Sequence, residues 1–351
     1  MDFSIAAILA QDGITSGAIY ALLALALVLV FSVTRIIFIP QGEFVAFGAL
    51  SLAAIQSGQF PQSATLLLSL GVLCLLKEIY QSLRAPQRSA NFLRALFPDT
   101  AKLLLLPLLL WLLMRYLPLQ ELPMLVQVVL ALLLVIPMGP MMYRLAYQPL
   151  AEASTLVLLI VSVGLHLALT GLGLVMFGAE GSRTTAFSDA QLQLGSLMIS
   201  GQSLVVITVS VTLMIALYVY FERSLSGKAL RATAVNRLGA QLVGIGTTQA
   251  GRLVFTLTAA LGALCGVLIA PMTTVYYDSG FLIGLKGFVG SIVGGLFSYP
   301  VAAAGALLVG LLESYSSFWS SAYKEVIVFT LIIPVLLWRS LSSKHNDEEE
   351  S

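Results

Sequence analysis

The stretch GITSGAIYALLALALVLVFSVTRIIFIPQGEFVAFGA, residues 13–49, decides the fold class. It holds one uninterrupted apolar run over 14–34, then Arg35, then a second apolar run that begins near 38 and continues to about 57. A helix needs roughly 20 apolar residues to cross the hydrocarbon core of a bilayer. The first run has that length without a charge, so it reads as a membrane-crossing helix.

The pattern repeats along the chain. Further apolar runs lie at 63–80, 102–117, 122–143, 154–177, 203–221, 251–270 and 323–338, with two shorter Gly-rich pieces at 285–298 and 300–313. Of 351 residues, 58% are hydrophobic and only 10% are charged. Soluble domains carry about 25% charged residues, so this chain lacks the charge to cover a water-facing surface. A β-barrel would require alternating segments, whereas these runs are continuous. The expectation is an all-α, polytopic helical membrane protein with about 9–11 membrane segments. Residues 1–340 are expected to form a single transmembrane domain, and 341–351 an acidic cytoplasmic tail. The two Gly-rich pieces are each short for a crossing. They read as a re-entrant hairpin or as two broken spans, which a membrane tolerates only against protein or a cavity.

Charge bias sets an expected orientation. The segment 222–252 carries Arg223, Lys228, Arg231, Arg237 and Arg252 against Glu222 alone. The segment 81–102 carries Arg84, Arg88, Arg94 and Lys102 against Asp99. Between 178 and 202, Arg183 is outnumbered by Glu180 and Asp189. Alternating the spans places both basic loops inside together with Arg35 and Arg144, the N-terminus outside and the C-terminus inside. The opening MDFSIAAILAQDG has an acid where a secretory signal carries cations, so no cleaved leader is expected. Cys74 and Cys265 both lie within apolar runs and read as buried small hydrophobes.

The chemistry of self-contained catalysts is missing from the pattern. No phosphate-cradling G-x-x-x-x-G-K-[ST] occurs: Gly227-Lys228 is followed by Ala229. No H-E-x-x-H or G-x-S-x-G occurs either, and the two histidines, His166 and His345, form no cluster. The centres of the spans look nearly free of charge, with His166 as the main exception. A histidine at that depth reads as bonded to a neighbouring helix, or as a gate or substrate contact. A self-contained carrier or channel, or an intramembrane enzyme, would need more polar chemistry at depth than this.

The polar interval GKALRATAVNRLGAQLVGI, residues 227–245, has Leu230, Ala234, Leu238 and Leu242 at successive i+4 positions, with Ile245 near them. This spacing predicts one short amphipathic helix over 229–245, ended by the glycine of 244–246. Periodicity alone leaves two readings open. The stripe rests on lipid headgroups, with its arginines held by anionic lipid, or it docks in a groove of a cytoplasmic partner.

Four motifs in order resemble the membrane-spanning permease subunit of ABC importers for branched-chain amino acids. They are the opening stretch 13–49, YRLAYQPLAEASTLVLLIVSVGL at 143–165, the 227–245 interval, and GFLIGLKGFVGSIVGGLFSYPVAAAGALLVGLLE at 280–313. The resemblance implies that 229–245 is a coupling helix seated on an ATP-binding subunit, with Arg231, Ala234, Asn236, Arg237, Ala240, Leu242, Gly244 and Ile245 at the interface. It implies that ATP is bound by that partner and that this chain carries no cofactor, metal or catalytic residue. It further implies a second permease subunit, identical or homologous, and an extracytoplasmic binding protein that delivers substrate. A permease for urea or amides stays open as an alternative within the same family.

PQGEF at 40–44 is similar to the family's His-Gly-Glu segment with Gln41 in place of His. Gln41, Gly42 and Glu43, with His166, are therefore candidates for the translocation path or its gate. Glu43 also reads as an ordinary carboxylate favoured at a helix N-terminus. Gly290, Gly294 and Gly295 follow a small-residue pattern that permits close helix approach or lines the path. The hairpin over 58–121, with its basic loop, has no counterpart in the usual family pattern.

Overall fold

A computed structural model describes residues 3–84, 92–194, 197–330, 333–335 and 337. The basic loop residue Arg88 and the acidic tail 341–351 lie outside the described residues. The helices are α1 (Phe3–Thr34), α2 (Gln41–Gln56), α3 (Ser63–Arg84), α4 (Phe92–Tyr116), α5 (Met124–Val135), α6 (Met138–Met142) and α7 (Thr155–Phe177). A short antiparallel hairpin, β1 (Gln191–Leu194) and β2 (Leu197–Ser200), leads into α8 (Gly201–Arg223). Then come α9 (Leu225–Val235), α10 (Arg237–Leu242), α11 (Thr247–Ile269), α12 (Ser279–Val293), α13 (Tyr299–Trp319) and α14 (Lys324–Thr330). The chain is a polytopic helical membrane protein. Among the described residues seven segments are long and apolar enough to cross a bilayer, and Leu104–Tyr116 and Ser279–Val293 are shorter apolar helices.

The run at 38–57 is α2, whose 16 residues are not among the seven crossing segments, and two further parts of the chain differ from their sequence outline. Met124–Leu150 is continuous as an apolar segment but changes pitch along its length. Pro137 and Pro140 remove two backbone donors, so α5 gives way to α6 and then to a π-helical turn, Tyr143–Tyr147. The second difference concerns the Gly-rich pieces. The interval 300–313 lies inside α13, whose 21 residues suffice for a full crossing. The interval 285–298 is the later part of α12 and the turn that follows it, where Gly295 and Leu296 adopt φ of 64° and 63°. Gly280 and Gly284 look like a loop in sequence, yet they open α12. Its 15 residues rise only about 22 Å, less than the roughly 30 Å hydrocarbon core.

The core is built on α1. It packs against α8, α11, α12 and α13, while α2 lies between α5, α11 and α12. Arg35, at φ 61°, ends α1, and the chain turns back inward through buried Ile36 and Phe38. Consequently α2 starts deep in the bundle: Gln41 Nε2 donates to the carbonyl of Leu23, in the middle of α1, at 3.0 Å. Phe38 then packs edge-on to Phe255 (4.8 Å between centroids) and Tyr147 (5.9 Å). These contacts anchor the re-entering segment between α11 and the π turn.

The α3–α4 pair lies beside α5 and α6 at the edge of this core, and the start of α3 is bonded to α2 through Ser63 and Ser51. The far end of α3 is tied to the π turn, where Glu78 pairs with Arg144 and Lys77 Nζ donates to the Arg144 carbonyl.

Candidate functional site

The start of α2 is buried because it faces another helix start with no side chains between them. A methyl group on Gly42 would lie 2.2 Å from the Gly280 carbonyl oxygen, and one on Gly280 would lie 2.0 Å from that of Gly42. Two backbones in contact bring the first turns of α2 and α12 together inside the bundle.

Around this contact the polar side chains converge. Glu43 is 2% exposed, and its Oε1 shares a 2.5 Å hydrogen bond with His166 Nδ1. His166 stacks on Phe281, with centroids 4.5 Å apart and planes at 27°. Thr170 Oγ1 stands 3.5 Å from the same ring nitrogen. Gln41 Oε1 and Glu43 Oε2 are buried without a hydrogen-bond partner among the described residues. Orphaned buried acceptors are uncommon and costly, so their concentration here marks the contact as more than packing. Thus the consecutive residues Gln41, Gly42 and Glu43 are joined at one place by His166, distant in sequence. Phe281 completes the group; it lies in a run of apolar residues, and only the tertiary fold sets it on the histidine.

The second glycine set lies elsewhere. A methyl on Gly290 would lie 2.6 Å from Ala306 Cβ, and one on Gly294 would lie 2.7 Å from the Ala302 nitrogen. Gly294 ends α12, and Gly295 supplies the left-handed backbone of the turn. In the structure these residues join α12 to α13 rather than extending the Glu43–His166 group.

Span charge is richer than the sequence outline suggested. Lys286, 5% exposed in α12, binds Glu313 of α13 at 2.5 Å and stands 3.5 Å from Glu325 of α14. Tyr20 of α1 donates to the other oxygen of Glu313 at 2.6 Å. Lys286 sits early in the piece 285–298 and Glu313 closes the piece 300–313, so each looks like an end charge. Because α12 begins earlier and α13 ends later, both fall within helices and face each other.

The interval 227–245 is also rearranged. It is not one helix: α9 and α10 meet at Asn236, which caps the end of α9 and opens α10, with Oδ1 accepting from the Gly239 N–H at 2.8 Å. Asparagine is a strong helix-starting residue, and that signal was present in the sequence beside the i+4 leucines. The break splits the apolar stripe. Leu230 is buried in the core, Ala234 is half-buried, and Leu238 and Leu242 are 67% and 80% exposed.

Among the other residues expected at this interface, Arg231 is exposed and pairs with Glu222. Arg237 is half-buried and donates from Nη1 to the Ala151 carbonyl at 3.1 Å. Ala240 is buried, Ile245 is half-buried, and Gly244, at φ 86°, is exposed where the chain leaves α10 for α11. Val235 and Val243 add to the exposed apolar surface.

The chain is similar to the high-affinity branched-chain amino acid transport system permease protein LivH of Escherichia coli (strain K12). The two are 32% identical over 201 residues, covering 55% of this chain and 65% of that protein. It is 31% identical over 205 residues to the corresponding protein BraD of Pseudomonas aeruginosa, covering 56% and 66%. A probable branched-chain amino acid transport permease protein LivH of Methanocaldococcus jannaschii is 29% identical over 207 residues, covering 55% and 66%. Each alignment thus spans slightly less than two thirds of the relative's length. No solved structure matches the chain. The family model described as branched-chain amino acid transport system, permease component, matches residues 9–336, so nearly the whole chain is accounted for and the protein belongs to that family.

Proposed function

We propose that this chain is the membrane-spanning subunit of an ATP-driven importer for branched-chain or other small amino acids. Substrate arrives on an extracytoplasmic binding protein and crosses beside a second permease subunit. ATP is bound and hydrolysed by separate cytoplasmic subunits, and no covalent chemistry takes place in this chain. The family match supports the transport class, and the names of the relatives support branched-chain amino acids.

The observation that carries the coupling part of this reading is the exposed apolar edge of α9 and α10. Leu225, Val235, Leu238, Leu242 and Val243 stand on a segment rich in cations and outside the spans. Charge bias places that segment on the cytoplasmic side, with the N-terminus outside and the C-terminus inside. Leu238, Leu242 and Gly244, with Arg231 and Asn236 beside them, form the face offered to the ATP-binding subunit. Arg237, Ala240 and Ile245 tie the same element back to the spans. A short element bound on one side to a moving partner and on the other to the bundle can transmit closure as helix movement. Gln41, Gly42, Glu43 and His166 then form a gate, where two helix starts meet backbone to backbone and part by releasing the Glu43–His166–Phe281 contacts.

The test is uptake of labelled leucine into proteoliposomes. Uptake that requires both ATP and the ATP-binding subunit supports the reading. Uptake by the chain alone, without ATP, would show a self-contained carrier or channel instead.

A further inference from the structure

Beside the Gly42–Gly280 contact lies a cavity of about 270 Å³, open on one side. Its wall is almost wholly apolar: Leu27 of α1, Phe38 of the re-entering segment, Leu159 of α7, and Phe281, Leu285 and Phe288 of α12. A single polar side chain, Gln41, borders it. Gln41 is 1% exposed, its amide nitrogen is held by the Leu23 carbonyl, and its Oε1 accepts nothing among the described residues. The amide is therefore fixed in orientation with its acceptor unused, which is the state a ligand donor would relieve. Two residues further along α2, and on a different side of the helix, Glu43 Oε2 is a second unused acceptor, and the Phe281 ring joins the Glu43–His166 pair to the cavity wall.

Size and lining define the ligand class. An engineered apolar cavity of about 150 Å³ stays dry and takes up benzene, so nearly twice that volume accommodates a larger aliphatic group. Small-molecule sites characteristically pair an apolar wall with a few placed polar groups. The Gln41 acceptor favours a donor at one end of the ligand, and the wall offers no cation to a side-chain carboxylate. We propose that this cavity is a subsite for the branched aliphatic side chain of the amino acid. Gln41 Oε1 accepts a hydrogen bond from the substrate's ammonium group. The proposal rests on the importer reading above and adds to it which residues of this chain measure the substrate.

Saturation-transfer NMR on the full-length permease in nanodiscs, with alanine, valine, leucine and phenylalanine as probes, tests it. In the wild-type protein the leucine and valine methyl groups should receive the strongest transfer. Leu159→Trp fills the cavity and should lower leucine binding about 10-fold while affecting alanine least, since added bulk in an apolar pocket discriminates by size. Leu159→Ala enlarges it and should move the preference the other way, toward phenylalanine. Gln41→Leu should weaken all four amino acids about 10-fold. The opposed shifts of the two Leu159 variants separate a subsite from a folding defect, which would weaken all probes alike.

Unchanged size preference in both Leu159 variants, or no leucine transfer in the wild-type protein, overturns the subsite. Leucine uptake by the assembled transporter, measured in parallel, keeps the two claims apart. ATP-driven uptake with an indifferent cavity rejects only the subsite, whereas absence of such uptake rejects the importer reading itself.

Discussion

Helices α1 and α8 are equally apolar, yet 78% of the membrane window of α1 is buried and only 11% of that of α8. The same contrast separates α11, at 67%, from α7, at 22%. Hydropathy places all four in the bilayer without saying which lie inside the bundle. Small residues at contact positions do say so. On α1, a methyl on Gly13 or Gly17 would meet the backbone of α13 at 2.8 or 2.9 Å; on α11, one on Gly266 would lie 2.0 Å from the Val45 carbonyl oxygen. On α7, Gly164 and Gly171 have nothing within 4 Å. In lipid, where burying apolar surface yields little, close backbone packing takes over the work of holding helices together.

The largest expected effect breaks that contrast directly. Gly266→Leu forces α11 away from α2, because the obstacle is backbone and cannot rotate aside. The yield of monodisperse protein in detergent should fall at least 10-fold by size-exclusion chromatography, whereas Gly171→Leu should leave it unchanged. Equal damage from both would mean that the outer face of α7 is not free.

Next in size is the charge held within the inner bundle. Lys286→Met leaves Glu313 and Glu325 without their cation and should cost about 3–5 kcal/mol, the usual penalty for an uncompensated buried charge. The double variant with Glu313→Met should recover most of that loss in thermal unfolding, since the pair is then replaced by apolar groups.

The outer helices sharpen the comparison in another way. α8 leads straight into α9 and α10, so its end is where the bundle meets its surroundings. Arg237→Glu removes the donor to the Ala151 carbonyl and sets a carboxylate against that carbonyl oxygen. Leucine uptake should fall about 10-fold while ATP hydrolysis by the assembled complex continues, measured on the same proteoliposomes. The smallest effect is expected for Asn236→Ala. It removes the cap on Gly239 and should cost about 1 kcal/mol locally, read as faster amide exchange in α10 with only a few-fold loss of uptake.

Much of this organisation was legible in the chain itself. The run at 14–34, the return through Arg35 and the family resemblance over 13–49 and 280–313 point to the class of protein found. Gln41, Gly42 and Glu43 stood out by their resemblance to a family segment and His166 by its depth, where polar residues are expensive; that Glu43 and His166 meet is a product of the tertiary fold. Phe281 and the Lys286–Glu313 pair were not legible, for a physical reason. Gly280 and Gly284 carry low helix propensity, so α12 seemed to start later and Lys286 seemed to lie at its end. Their purpose, contact with Gly42, exists only in three dimensions. The break at Asn236 was hidden by leucines whose spacing fits one helix, although two of them point into solvent and one into the core.

The central claim is that the exposed edge of α9 and α10 is where the ATP-binding subunit engages this chain. Photo-crosslinking from Leu242→Cys, labelled with a benzophenone maleimide in the assembled complex, tests it most directly. The expected result is a covalent product with the ATP-binding subunit and loss of ATP-driven leucine uptake. Crosslinks to lipid alone, with uptake intact, would contradict it.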